Sequence, residues 1–157
     1  MGAGKSTVGR RVAKKLGWKF IDLDAQIERR EGRSIADIFK QDGELHFRSL
    51  ERLCLQQLSA SSRKSVIALG GGTFIDPENR DLAEKTGLTV WLKVSFSKLV
   101  QRVRIDGTRP KFADKAQAER LYQEREPFYT LARVHVSTDD GNPDNVVDEI
   151  IGALGKL

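Results

Sequence analysis

The sequence predicts an α/β protein in which helices cover both faces of a parallel β-sheet. Helical and strand-like patterns alternate along all 157 residues, as expected when parallel strands are joined by helical crossovers. In addition, residues 2–7 read Gly-Ala-Gly-Lys-Ser-Thr, which matches the second half of a loop that wraps phosphate groups at the start of a helix. The length suits a single domain with its own hydrophobic core.

Two strands and four helices are predicted in the first half of the chain. In chain order they are a helix over 4–16 ending at Gly17, a strand over 18–23, a helix over 25–31 ending at Gly32, a helix from Ser34 to Gly43, a helix over 44–60 with Leu50, Leu53, Cys54 and Leu58 facing inward, and a strand over 65–69. The first helix is amphipathic because Val8, Val12 and Leu16 recur every four residues. Ser34 is expected to cap its helix, with Asp37 three places on as in a capping box.

The second half of the chain is predicted to hold four more helices and two more strands. In chain order they are a helix from Asp76-Pro77 to Gly87, a strand over 88–94, a helix over 97–104, a mobile loop over 106–115, a helix over 116–132 bent or shortened at Pro127, a strand over 134–137, and a last helix from Asn142-Pro143 with Val146, Val147, Ile150 and Ile151 facing inward. An Asp or Asn followed by Pro is a helix-start signal, because Pro lacks the N–H that the first turn leaves unsatisfied.

Composition narrows the classes of partner. The chain carries 27 Lys and Arg residues against 22 Asp and Glu residues. These basic residues are spread out without interleaved aromatic side chains, so we expect no nucleic-acid partner, and a polyanionic substrate such as ATP accounts for the excess. No apolar run approaches the ~20 residues of a membrane span, and no signal peptide is visible. We therefore expect no membrane partner. The single Cys54 excludes an internal disulfide and fits a reducing compartment, so we expect a cytoplasmic protein.

The segment 2–7 carries the chemistry of an ATP-phosphate site. The residues expected to bind the nucleotide are Gly2, Ala3, Gly4, Lys5, Ser6 and Thr7. Backbone N–H groups would surround the phosphates, Lys5 would reach the β- and γ-phosphates, and the Ser6 hydroxyl would bind Mg²⁺. The complete motif has another glycine, two places upstream of Met1, and a strand before it. We therefore expect a natural chain roughly ten residues longer.

Two carboxylates follow the first predicted strand. Period-two alternation would place Asp22 and Asp24 on the same side of that strand. One could then serve Mg²⁺ through water, while the other orients or deprotonates an acceptor hydroxyl. Alternatively, the pair are solvated turn carboxylates, or one of them caps the next helix.

Several other residues have both a functional and an ordinary interpretation. Arg48 and Glu51 lie three apart on one helix, so they form either a surface ion pair or an arginine fixed toward a substrate carboxylate. The glycine triplet 70–72 after a strand end either lets the backbone approach a ring or forms a flexible turn. Arg109 could swing from its loop over the phosphates and Arg125 could contact substrate, or both are solvated.

Together these segments resemble shikimate kinase, the small P-loop kinase family of aromatic amino-acid biosynthesis. The matching segments are GAGKST (2–7), FIDLD (20–24) with IE (27–28), GRSIADIF (32–39), GE (43–44), FR (47–48) with Glu51, GGG (70–72), NR (79–80), RP (109–110) and REPFY (125–129). They run in order through almost the whole chain. The resemblance implies transfer of the ATP γ-phosphoryl group to the 3-hydroxyl of shikimate. We expect the protein to be a monomer.

The resemblance also implies roles for individual residues. On the acceptor side, Asp24 would orient or deprotonate the hydroxyl, Arg48 and Arg125 would bind the shikimate carboxylate, and Glu51 would hold Arg48. The ring would be lined by Gly70, Gly71 and Gly72. On the nucleotide side, Ser6 would bind Mg²⁺ and Asp22 would support it through water, Arg109 would be the lid arginine acting with Lys5 on the phosphates, and Arg102 would stack on adenine. One kinase domain would span 1–157, with a substrate-binding segment at 24–60 and a lid at 106–116.

The implied fold is NMP-kinase-like, with three layers and a parallel sheet of order 2-3-1-4-5 whose first strand is missing from this sequence. Two further departures are Lys111-Phe112, where the family usually has two leucines, and a segment 138–143 without the Arg or Gln often placed near adenine. Two alternatives stay open. One is a P-loop kinase for another small metabolite, such as gluconate or a nucleoside monophosphate, and the other is an inactive, truncated nucleotide-binding module.

Overall fold

The computed structural model describes residues 2–61, 64–106 and 115–156. Their elements, in chain order, are α1 (Lys5–Leu16), β1 (Lys19–Asp22), α2 (Leu23–Glu31), α3 (Ile35–Ser59), β2 (Ser65–Ala68), α4 (Pro77–Thr86), β3 (Val90–Lys93), α5 (Phe96–Asp106), α6 (Lys115–Tyr129), β4 (Val134–Ser137) and α7 (Pro143–Leu154). They fall into two compact units, one of Gly9–Gly87 and one of Met1–Val8 with Leu88–Leu157.

In the Gly9–Gly87 unit, β1 and β2 form a parallel pair whose carboxyl ends are level. Lys19 is opposite Ser65 at one end, and Asp22 is opposite Ala68 at the other. The chain therefore leaves both strands at the same edge, which is where ligands bind in open parallel sheets. Asp24 and Gly70 each follow two residues after these strand ends.

In this unit α2 and α3 pack around an apolar cluster. Its buried members are Leu23, Ile27, Ile38, Phe47, Leu50 and Cys54, with Ile35, Phe39, Leu58 and Leu69 packed against them. Gly32 ends α2 in the left-handed conformation (φ 66°), and the Ser34 hydroxyl accepts a hydrogen bond from the Asp37 N–H, as the capping signals predict. This cluster fixes α2 and α3 beside the edge at which the strands end.

One expectation about α3 is confirmed and one was wrong. Within Ile35–Ser59 two helical segments meet at a kink at Gly43, whose φ of 81° and ψ of 175° are not helical, so the expected helix break at this glycine is confirmed. The glycine absorbs the change in direction between the two segments. Leu53 is exposed and Leu55 is buried instead, because the buried positions 47, 50, 51, 54 and 55 form one helical stripe that excludes position 53.

The other unit is built on the parallel pair β3 and β4, in which Val90 is opposite Val134 and Lys93 is opposite Ser137. The Tyr122 hydroxyl of α6 donates to the Val94 carbonyl at 3.0 Å. Val94 also joins Ala3 and Leu99 in a small buried cluster. Pro127 lies inside the last turns of α6, which ends at Tyr129 rather than at 132 as expected.

The strand pairs agree with the predicted fold class. If strand 1 is removed from the family order 2-3-1-4-5, the neighbouring pairs 2-3 and 4-5 remain. The pair β1-β2 corresponds to family strands 2 and 3, and the pair β3-β4 corresponds to family strands 4 and 5. Residues 107–114 of the expected mobile loop and lid lie outside the described residues. In the part of the chain that the structure describes, no helix is long and apolar enough to cross a bilayer.

Candidate active site

The phosphate-loop sequence forms a tight turn that leads into α1. Gly2 and Gly4 adopt left-handed backbone conformations, with φ angles of 70° and 84°, which favour glycine. Gly4 accepts the hydrogen bond from the Val8 N–H at 2.9 Å, so the helix starts where the motif requires. Ala3 is buried and anchors the turn. The N–H groups and dipole of a helix start favour a bound anion, and Lys5 and Ser6 stand in this first turn.

Arg102 is anchored at the carboxyl end of β4. Its Nη1 donates to the Thr138 hydroxyl at 3.2 Å, and its Nη2 donates to the Thr138 carbonyl. Thr138 is itself buried and bonds through its N–H to the Lys93 carbonyl at 2.8 Å. The arginine expected to stack on adenine is therefore held by the end of the β3-β4 pair.

Asp22 and Asp24 occupy different elements, so the alternation argument for them was wrong. β1 ends at Asp22, and α2 begins at Leu23. The Asp22 carboxylate caps α2, accepting from the Ala25 N–H at 3.4 Å. Asp24 lies in the first turn of α2 and is half-buried. The interpretation as a helix cap is thus confirmed for Asp22. The direction of the Asp24 side chain is set by its position in the first turn of α2.

Arg48 is fixed by two glutamates. Its Nη1 donates to Glu51 Oε2 at 2.5 Å, and its Nη2 and Nε donate to Glu44 Oε1 at 2.8 and 3.2 Å. Burial alone would lower the pKa of Arg48, but the bonds to Glu51 and Glu44 outweigh it and raise that pKa. Within the described residues these bonds use three of its five N–H donors. The interpretation as an ordinary surface pair fails, because Glu51 is only 1% exposed.

Thr73 completes the surroundings of Glu51 and was missed by the sequence analysis. Its hydroxyl donates to Glu51 Oε1 at 2.5 Å, so each carboxylate oxygen of Glu51 has a partner. The only signal in the sequence was a hydroxyl residue directly after the glycine triplet, which is also common in turns. The two residues are 22 positions apart, and no local rule joins them.

The glycine triplet gives close access to these polar groups. A Cβ on Gly72 would lie 2.7 Å from Arg48 Cζ. A Cβ on Gly70 would lie 3.0 Å from Asp24 Oδ1 and 3.1 Å from both Glu51 Oε1 and Thr73 Oγ1. Gly71 lies between them in a run of turns closed by bonds from the N–H groups of residues 73 and 75 to the carbonyls of residues 70 and 72.

A group of residues around the glycine triplet, called here the Asp24 cluster, therefore forms in the Gly9–Gly87 unit. Its members are Asp24, Arg48, Glu51, Gly70, Gly72 and Thr73. It offers a guanidinium with remaining donors beside Gly72 and the Asp24 carboxylate beside Gly70. Such a group can bind an anionic ligand and receive a proton from it.

The remaining predicted residues lie elsewhere. Arg125 is half-buried on α6 beside Tyr129, and burial raises the pKa of Tyr129 while the charge and hydrogen bond of Arg125 act to lower it. Arg109, with Pro110, Lys111 and Phe112, lies outside the described residues. Lys5, Ser6, Arg102 and Arg125 all belong to the unit of Met1–Val8 with Leu88–Leu157.

Comparison with known proteins gives the same family throughout. A sequence model of the shikimate kinase family matches residues 1–155. The chain is 36% identical over 155 residues to the shikimate kinase of Persephonella marina, covering 98% of this chain and 94% of that protein. It is 42% identical over 157 residues to the shikimate kinase of Thermobifida fusca, covering 98% and 90%.

Solved structures agree with the sequence comparison. The shikimate kinase of Acinetobacter baumannii in complex with shikimate has a TM-score of 0.86 at 31% identity, covering 99% of this chain and 89% of that one. The enzyme of Bacteroides thetaiotaomicron has a TM-score of 0.88 at 34% identity, covering 99% and 94%. This chain belongs to the shikimate kinase family. Membership confirms the resemblance, the fold class and, at the level of the family, the function of an ATP-dependent kinase.

Proposed function

We propose that the chain transfers the γ-phosphoryl group of ATP to the 3-hydroxyl of shikimate, giving shikimate 3-phosphate and ADP. The observation that carries the proposal is Arg48, a charged guanidinium held by Glu51 and Glu44 with donors left for a ligand. Arg48 lies beside Gly72, and Asp24 lies beside Gly70 of the same glycine triplet. A guanidinium fork fits a carboxylate, because two parallel N–H donors meet two oxygens. Shikimate offers both a carboxylate and ring hydroxyls.

The Asp24 cluster supplies the acceptor chemistry. Arg48 binds the shikimate carboxylate, with Arg125 as its second ligand, and Gly70, Gly71 and Gly72 let the ring lie close to the backbone. Asp24 orients the 3-hydroxyl and takes its proton as the new oxygen–phosphorus bond forms and the bond to ADP breaks. The bonds that fix Arg48 support this role, since a preordered arginine loses less side-chain freedom on binding.

The first turn of α1 supplies the nucleotide chemistry. Backbone N–H groups of 2–7 and the Lys5 ammonium hold the phosphates, and Arg102 supports the adenine. Mg²⁺ prefers hard oxygen ligands, so the Ser6 hydroxyl would bind the ion and the Asp22 carboxylate would support it through water. When bound, Mg²⁺ would neutralise charge on the phosphates. Arg109 keeps the role that the family resemblance gives it, outside the described residues.

The alternatives raised by the sequence are not favoured by family membership. A gluconate or nucleoside monophosphate kinase needs no arginine fixed for a carboxylate on a ring. An inactive nucleotide-binding module needs no built acceptor site, whereas Arg48, Glu51 and Thr73 form one.

We also propose that the protein works as a cytoplasmic monomer in which 24–60 form the substrate-binding segment. The Asp24 cluster supports that segment, since Asp24, Arg48 and Glu51 all lie within it. The single buried thiol, Cys54, is compatible with a reducing compartment.

A coupled assay of ADP release tests the function. We expect turnover with Mg-ATP and shikimate, and none with gluconate or nucleoside monophosphates. Arg48→Ala should raise the KM for shikimate by tenfold or more, because a charge-assisted contact is worth about 1.5–3 kcal/mol. Turnover of another acceptor without turnover of shikimate would overturn the proposal. Thermal shift with Mg-ATP gives an independent readout, since a formed phosphate loop should raise the midpoint.

A further inference from the structure

Thr73 is a fully buried polar residue to which the reaction gives no direct role. Its side chain is 0% exposed, and its hydroxyl donates to Glu51 Oε1 at 2.5 Å. Its own N–H donates to the Gly70 carbonyl at 3.2 Å, which fixes the turn that carries it. The position of the hydroxyl is therefore set by backbone geometry.

Glu51 depends on that hydroxyl for one of its two oxygens. With 1% exposure the carboxylate is shielded from water, and burying a carboxylate costs free energy that hydrogen bonds and a paired charge must offset. Arg48 supplies the bond to Oε2. The last torsion of a glutamate side chain is broad, so one bond alone leaves the carboxylate plane free to turn. Bonds to Thr73 and Arg48 together fix it.

The orientation of Arg48 follows from that of Glu51. Glu44 is mostly exposed, whereas Glu51 is the buried anchor of the guanidinium. We propose that Thr73 is a positioning residue for recognition of the substrate carboxylate, acting through Glu51 on the direction in which Arg48 presents its remaining donors. The inference rests on the proposed function, in which Arg48 binds that carboxylate.

Kinetics of Thr73→Val and Thr73→Ser test the inference. Valine keeps the volume and removes the hydroxyl, while serine keeps the hydroxyl and removes a methyl group. We expect T73V to raise the KM for shikimate about tenfold, as for a lost charge-assisted hydrogen bond, and to leave the KM for ATP unchanged. T73S should restore the KM for shikimate to within about twofold. If T73V does not fold, Thr73→Ala carries the same test.

A second substrate separates positioning from a general structural effect. The methyl ester of shikimate lacks the anionic carboxylate, and the initial slope gives kcat/KM even when binding is weak. If Thr73 acts through Arg48, T73V should lower kcat/KM for shikimate about tenfold and leave the value for the ester nearly unchanged. Equal losses for both substrates would overturn the inference.

Two further variants complete the design. Thr89→Val is the matched control, because Thr89, like Thr73, is a buried threonine with a hydrogen-bonded hydroxyl. The Thr89 hydroxyl accepts from the Arg133 N–H at 3.0 Å. It should leave the KM for shikimate unchanged. Arg48→Ala distinguishes failure of the proposed function from failure of the inference about Thr73. If R48A leaves this KM unchanged, the proposed role of Arg48 fails, and if R48A raises it while T73V does not, only the role of Thr73 fails.

Discussion

Gly72→Ala is the substitution that most directly probes the closeness of the glycine turn to Arg48. The added Cβ would lie 2.7 Å from both Cζ and Nη2 of the guanidinium. Gly72 does not have a positive φ angle, so the backbone itself tolerates alanine. The effect therefore comes from the added Cβ itself, which displaces the end of the Arg48 side chain and takes up space that the proposed function gives to the shikimate ring.

The structure sets the size of that displacement. Moving Cζ and Nη2 from 2.7 Å to the 3.4 Å at which ordinary contact begins is a shift of about 0.7 Å, and Nη1, which the Cβ approaches still more closely, must move further. A misplacement of about 1 Å in a positioned group costs up to about 100-fold in rate. We therefore expect kcat/KM for shikimate to fall by roughly 10- to 100-fold, equivalent to about 1.4–2.8 kcal/mol. The free energy of unfolding should change little, because a long side chain can move aside.

The assay is steady-state ADP release with shikimate varied at saturating Mg-ATP, accompanied by urea unfolding. Gly152→Ala is the matched control, since a Cβ there meets nothing within 4 Å and the residue lies in α7. It should keep normal kinetics and stabilise the fold by about 0.5–1 kcal/mol, because alanine is the better helix former. Normal kcat/KM for shikimate in G72A would refute the placement of Arg48 against the glycine turn, and so would a loss caused by unfolding alone.

Three other outcomes are expected. Asp24→Asn should lower kcat by about 10²- to 10⁴-fold while Mg-ATP still raises the thermal midpoint, and near-normal turnover would remove Asp24 from the mechanism. Partial burial pushes the pKa of Asp76 upward, but bonds from the Asn79 N–H and Arg52 outweigh it and lower that pKa. The stabilisation is therefore present above the unfolded-state pKa and is lost as pH falls through the lowered folded-state pKa. The unfolding free energies of Asp76→Asn and the parent protein in urea should thus differ at pH 7, and the difference should shrink as the carboxylate becomes protonated at acid pH; a difference that stays constant contradicts this. Ser34→Ala should cost about 1 kcal/mol of unfolding free energy through loss of the α3 cap, and an unchanged urea midpoint would exclude that contribution.

Local rules account for what the sequence predicted well. The caps at Ser34, Asp76 and Asn142 all form as expected, because each depends on neighbours two or three residues away. The strand over 134–137 has the predicted bounds, since alternation and flanking turn residues mark it. The glycine signal at Gly43 was also interpreted correctly, because its non-helical φ and ψ break α3 there. Leu53 was assigned to the inner face although it is exposed.

The candidate site was predicted in its residue types but only partly in its geometry. Arg48 and Glu51 pair as expected because they are three residues apart on a helix. The burial of Glu51, its bond to Thr73 and the contact of Gly72 with Arg48 depend on residues more than 20 positions apart. Such contacts are created by packing of α3 against the turn after β2, which no sequence period encodes.

A crystal structure of the protein with shikimate and ADP tests the central claim most directly. The account predicts the shikimate carboxylate within hydrogen-bond distance of the Arg48 guanidinium and the 3-hydroxyl within hydrogen-bond distance of an Asp24 oxygen, about 2.6–3.2 Å in each case. Shikimate bound with its carboxylate away from Arg48, or with the 3-hydroxyl out of reach of Asp24, would contradict it.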